Sequence, residues 1–91
     1  MNLCIPKINS NIKLEYIYKN LSNIHLFQKI EKIIEIPLKN NPMYKRILIK
    51  VIWDDNEKSQ KIKEKLKNNG SINFVYNFPW YWKILITNHK M

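Results

Sequence analysis

Between Met1 and Ile8, Leu3 and Ile5 fall on one side of an extended run and Cys4 on the other, which predicts a short strand halted by Pro6. From Ile12 to Leu21 the spacing changes to i, i+3, i+4, i+7 at Leu14, Ile17, Tyr18 and Leu21, the stripe of a helix with one buried side. Ser10 and Asn11 stand just upstream as N-cap candidates, and Ser22 with Asn23 marks the exit. Leu26 to Ile36 reads as a second strand with imperfect alternation. Ile30, Ile33 and Ile36 fit a bulge that shifts the inward side by one residue partway along. Pro37 ends it, and the stretch from Pro37 to Met43 is a loop.

A third strand follows from Arg46, where Ile47, Ile49, Val51 and Trp53 alternate with Arg46, Leu48, Lys50 and Ile52. Asp54-Asp55-Asn56-Glu57 then sets acids against the positive end of an opening helix, with Asp54 and Glu57 at capping-box spacing. That helix runs through Lys67 on a narrow stripe of Ser59, Ile62 and Leu66. It stops at Asn68-Asn69-Gly70, where a left-handed cap is needed. Ile72 to Tyr76 reads as a short strand, Asn77-Phe78-Pro79 as a turn and Trp80 to Thr87 as the last strand, followed by a frayed tail to Met91. The order β-α-β-β-α-β, with a small extra strand before the last, predicts one α+β domain over residues 1–91. Its expected form is a ferredoxin-like sandwich with two helices on one face of a four-stranded antiparallel sheet. The same elements in another strand order are the alternative.

Composition narrows the function. At 91 residues there is room for one modest core and little for a deep cleft. The single glycine excludes phosphate-cradling loops and nucleotide fingerprints, which need several. One cysteine and two distant histidines, His25 and His89, exclude a disulfide framework and a zinc site built by this chain alone. The apolar runs are broken by Lys within a few residues, so no membrane span or targeting segment is expected, and an unpaired Cys4 suits a reducing, intracellular setting. The formal net charge of +9 points to a polyanionic partner. Asn, Ile and Lys dominate the composition, however, a bias typical of AT-rich genomes, so the placement of the cations matters more than their number.

Leu3-Cys4-Ile5-Pro6-Lys7-Ile8 has the outline of the short signature of an RNA-recognition motif (RRM), and Arg46-Ile47-Leu48-Ile49-Lys50-Val51-Ile52-Trp53 that of the long one. Over nearly its full length the chain resembles an RRM domain. Cys-Ile-Pro-Lys-Ile at 4–8, Ile-Pro-Leu-Lys-Asn at 36–40, Tyr-Lys-Arg at 44–46 and Pro-Trp-Tyr-Trp-Lys at 79–83 are also similar to small RRM-like proteins of large nucleocytoplasmic DNA viruses, which would place it in the host cytoplasm. The resemblance implies a module that binds single-stranded RNA on its open sheet face; with no phosphate loop, paired acid and base groups or metal-ligand spacing in the sequence, no enzyme, cofactor or metal is expected. The resemblance also implies base stacking from the positions held here by Cys4, Leu48 and Lys50. None of these is aromatic, so about 1–3 kcal/mol per stacked base is missing from the usual places. Arg46 matches the motif and can pair with a phosphate.

The open face is expected to carry Cys4, Arg46, Leu48, Lys50, Ile52, Tyr81, Lys83 and Leu85. Arg46, Lys50 and Lys83 could hold phosphates with Tyr81 under a base. Alternatively Leu48, Ile52 and Leu85 form an aliphatic stripe for a protein partner or a homodimer. Lys39, Lys45 and Arg46 bracket the long loop, which in RRMs often wraps nucleic acid. The lysines of the second helix read as a solvated face. Trp80, Trp82 and Trp53 are expected in the core, and His25 at a strand edge. Asp54-Asp55-Glu57 is explained by the helix start without a metal, and no nucleophile, acid or base pairing is visible.

Overall fold

The computed structural model describes residues 2–87. The elements are β1 (Asn2–Asn9), α1 (Leu14–Ser22), β2 (Phe27–Pro37), β3 (Tyr44–Trp53), α2 (Glu57–Asn69), β4 (Ser71–Asn77) and β5 (Trp80–Thr87). The strands form a single antiparallel sheet of five, not four, in the order β2-β3-β1-β5-β4. The extra strand is a full partner of β5 because Ile72, Phe74 and Tyr76 alternate with the outward-facing Asn73 and Val75 and lay a second apolar row beside Trp82 and Ile84.

Registers fix which side chains share a face. Leu3 lies opposite Ile49 and Ile86, and Ile5 opposite Ile47, so these side chains point the same way. They join Ile17 and Leu21 of α1, Leu66 of α2, and Trp82 and Ile84 in one core cluster. Both helices therefore cover this face, and the residues between, Cys4 and Leu48 among them, look to the other side.

Pro6 does not end β1. A register shift between Ile5 and Ile8 sets Pro6 and Lys7 in a bulge, which accommodates the missing N–H and returns Ile8 to the core. A bulge in β2 lies between Ile30 and Lys32 and brings Ile30 and Ile33 to the helix-covered side as expected, but Ile36, expected with them, pairs with Arg46 on the open side because no second bulge separates it from Ile33; the other shift lies between Phe27 and Lys29.

Helix α1 begins at Leu14 rather than Ile12, and neither Ser10 nor Asn11 caps it. The N-cap is Lys13, without a side-chain hydrogen bond, while Asn9 Oδ1 accepts from the Asn11 N–H at 2.9 Å in the preceding turn. Its buried line is Ile17 and Leu21, and Tyr18, expected in the stripe, is 51% exposed. The chain leaves α1 through His25, an exposed residue with φ 55° that sits in a tight turn rather than at a strand edge.

Asn56, not Asp54, caps α2, its side-chain oxygen accepting from the Ser59 N–H at 2.8 Å. Ser59 is fully buried because its hydroxyl donates to the Leu26 carbonyl at 2.8 Å, tying α2 to the start of β2. At the other end Gly70 adopts φ 79° and its N–H returns to the Leu66 carbonyl. Trp82 is core as expected, with Tyr76 stacked on it at 4.3 Å, and Trp53 is half-buried against Phe27. Trp80 is not core: it is 64% exposed, at the tip of the β4–β5 hairpin opposite Asn77 and beyond the register shift. The expected tail at 88–91, with His89, lies outside the described residues. No helix among the described residues is long and apolar enough to cross a membrane.

Lys45 is the one cation among the described residues buried in the fold, and it is not available to bracket a nucleic acid. Its Nζ donates to the Ile12 carbonyl and to Glu35, joining the β1–α1 connection to β2 and β3. Two stability outcomes follow. Glu35→Gln strips the ammonium of its counter-charge and should lower unfolding free energy by about 1–2 kcal/mol, whereas Lys45→Met, which removes the buried charge and keeps the stem, should cost less; urea midpoints rank the two. A Cβ at Gly70 would meet no neighbour, so Gly70→Ala should cost only the left-handed strain, about 1 kcal/mol by thermal or urea unfolding.

Candidate nucleic-acid interface

Cys4 pairs with Leu48 on one side and Leu85 on the other, and Leu48 pairs with Ile34. These four side chains make an aliphatic band running across the strands on the face no helix covers. Two residues along, about 7 Å away, stand Lys32 and Lys50, directly opposite each other. Two residues in the other direction stand Arg46, opposite Ile36, and Lys83, opposite Asn73. Because β3 and β5 both run antiparallel to β1, Arg46 and Lys83 lie on the same side of the band. Cations therefore flank it on both sides.

The band itself is closed. Leu48 is 4% and Cys4 8% exposed, so the expectation that they present contact surface is corrected. Each has an apolar neighbour on both flanking strands, and the stems of Arg46 and Lys50 rise on either side of Leu48 along its own strand. Burial pushes the Cys4 thiol above its ordinary range, and the positive charge of Arg46 offsets part of this. A buried, protonated thiol is a weak nucleophile. Leu85 is half-buried, and Ile52 is the member of the expected stripe that remains open, at 41%.

Arg46, Lys50, Lys83 and Tyr81 are exposed on this face. Tyr81 lies opposite Val75 near the hairpin end. Sequence reasoning left Tyr44 and Lys7 out of the site. Tyr44 shares the face with Arg46, two residues on, and the Lys7 ammonium sits 4.3 Å from its ring centroid. Lys7 was hidden because Pro6 read as the end of the strand. The signal for Lys32 was its alternation with Ile34 and Ile36.

Like charges directly opposite, as at Lys32 and Lys50, destabilise a sheet. Glu31, in the β2 bulge, relieves this with a carboxylate 3.5 Å from Lys50 Nζ. The other acids are elsewhere. Glu15, Glu57 and Glu64 are on helices, Asp54 and Asp55 lie between β3 and α2, and Glu35 holds Lys45. Among the described residues no group of three or more His, Cys, Asp or Glu could hold a metal ion. No family model, no curated protein and no solved structure matches the chain.

Proposed function

We propose that the protein is an RRM-like, non-enzymatic module that binds single-stranded RNA across the open face of its sheet, with weak sequence preference. The observation that carries this is the segregation of charge: Lys32, Lys50, Arg46 and Lys83 line both sides of one band, with Glu31 as their accompanying carboxylate. Such a face suits a flexible polyanion. The topology supports the same reading. β3 lies between β1 and β2, and β1 between β3 and β5, so the two β-α-β units interleave as in a ferredoxin-like sandwich, with β4 added at the edge.

Weak preference follows from what the face lacks. With Cys4 and Leu48 buried at the centre, Tyr81 is the exposed ring beside the cations, and binding rests on phosphates more than on base edges. An aliphatic face for a protein partner or homodimer is the second candidate. It loses its central residue with Leu48 buried, leaving Ile52 as the exposed member. Action in a host cytoplasm belongs to the proposal through the viral resemblance alone.

Anisotropy titrations of a labelled single-stranded RNA test it. At about 0.7 per phosphate, four contacts give a slope of log K against log salt of about −3, and Arg46→Ala with Lys50→Ala should flatten it by about 1.4. Absence of binding at low salt would sink the proposal. Glu31→Gln removes the competing carboxylate from Lys50 and should tighten RNA binding by about two- to fivefold, an effect that shrinks as salt rises.

A further inference from the structure

The two edges of the sheet are built differently. β2 carries Lys29, Glu31, Lys32 and Glu35 and two register shifts, devices that keep another strand from adding. β4 carries none of these along most of its length. Its sequence, Ser-Ile-Asn-Phe-Val-Tyr-Asn, has no charge and no proline, and its one register shift lies at the hairpin end, between Val75 and Asn77. It stands last in the strand order with β5 as its one partner. Among the described residues, no backbone hydrogen bond outside the helices and ladders involves Ser71–Asn77. Its outer row of donors and acceptors is therefore unpaired by protein, and the geometry that satisfies such a row is another extended strand.

Side chains beside the edge say what kind of strand. On the helix side, half-buried Ile72 and Phe74 form, with Ile62, the apolar floor of a groove of about 450 Å³ between β4 and α2. Lys58 and Lys65 stand at this groove, and no carboxylate lines it. Lys58 Nζ spends one donor on the Ile24 carbonyl at 3.0 Å and has others to give; Lys65 makes no ion pair among the described residues. A second copy would bring another +9 and its own α2 lysines to this site. Charge complementarity selects an acidic occupant instead.

We propose that the outer edge of β4 is a docking site for an extended acidic segment of a partner protein. The segment adds as a sixth strand, seats apolar side chains on Ile72 and Phe74, and pairs carboxylates with Lys58 and Lys65. This surface is separate from the cationic sheet face and does not depend on RNA binding.

A blocked peptide, Glu-Thr-Val-Thr-Ile-Thr-Glu, matches the seven residues of β4. As a strand it directs Glu, Val, Ile and Glu to one side. Added to the full isotope-labelled chain, it should shift and slow the exchange of Ser71–Asn77 amides and shift Ile62 and Ile72. The Lys58→Glu, Lys65→Glu double variant should bind it about three- to tenfold more weakly and should favour the same peptide with Lys in place of Glu. Equal binding of both peptides, perturbations centred on Arg46, Lys50 and Lys83, or no perturbation at millimolar peptide would overturn the proposal. So would β4 amides that become protected with rising protein concentration alone, which assigns the edge to a second copy, or with single-stranded RNA, which assigns it to nucleic acid.

Discussion

β1 lies between β3 and β5, and its pairing puts Cys4 level with both Leu48 and Leu85. A sheet has a side-chain period of two, so this one alignment decides the face of every residue on three strands. A slip of β1 by one residue would put Leu3 and Ile5 on the face opposite Ile47, Ile49, Ile84 and Ile86; keeping Leu3 and Ile5 against the helices would then bring Arg46, Lys50 and Lys83 against them as well. Burying several unpaired cations costs far more than any alternative contact could return. The hydrophobic face thus protects the register, and the register places the cations.

The same economy governs the charges. Among the described residues one lysine, Lys45, is enclosed, and it is enclosed with a carboxylate and a carbonyl that meet its donors. The other cations among the described residues stay on the strands, the helices or the loops between them, where water screens them and mutual repulsion is weak. On the sheet face the repulsion between the directly opposed Lys32 and Lys50 is moderated by Glu31 from a bulge, a position that lets its carboxylate approach Lys50. The bulges serve a second purpose at the edges: two interrupt β2, while β4 remains regular through Val75.

Much of this is legible in the order of residues. Alternation at Ile47–Trp53 and Trp80–Thr87, the bulge after Ile30, the stripe of Ser59 and Leu66, and the left-handed cap at Gly70 all express local geometry that a few neighbouring residues determine. What local pattern mis-stated depends on partners remote in sequence. Pro6 reads as a stop because its missing N–H is visible, while the strand beyond it, which lets the chain bulge and continue, is not. Tyr18 and Trp80 have the spacing of core residues, yet the fold leaves half or more of each exposed. Lys45 looks like any loop-flanking lysine until Glu35 and the Ile12 carbonyl come to meet it.

Periodicity, caps and the residue types present were enough for the element types, the α+β class, the apolar side of β1, β3 and β5 and the exclusion of phosphate loops and disulfides. Only the tertiary structure decided that the sheet has five strands with an unguarded edge at β4. It alone aligned cations from three strands on either side of a band and closed that band over Cys4 and Leu48. The reason is physical: burial and alignment are properties of pairs of strands, and a pairing between residues forty or eighty positions apart leaves no mark in the local pattern of either one.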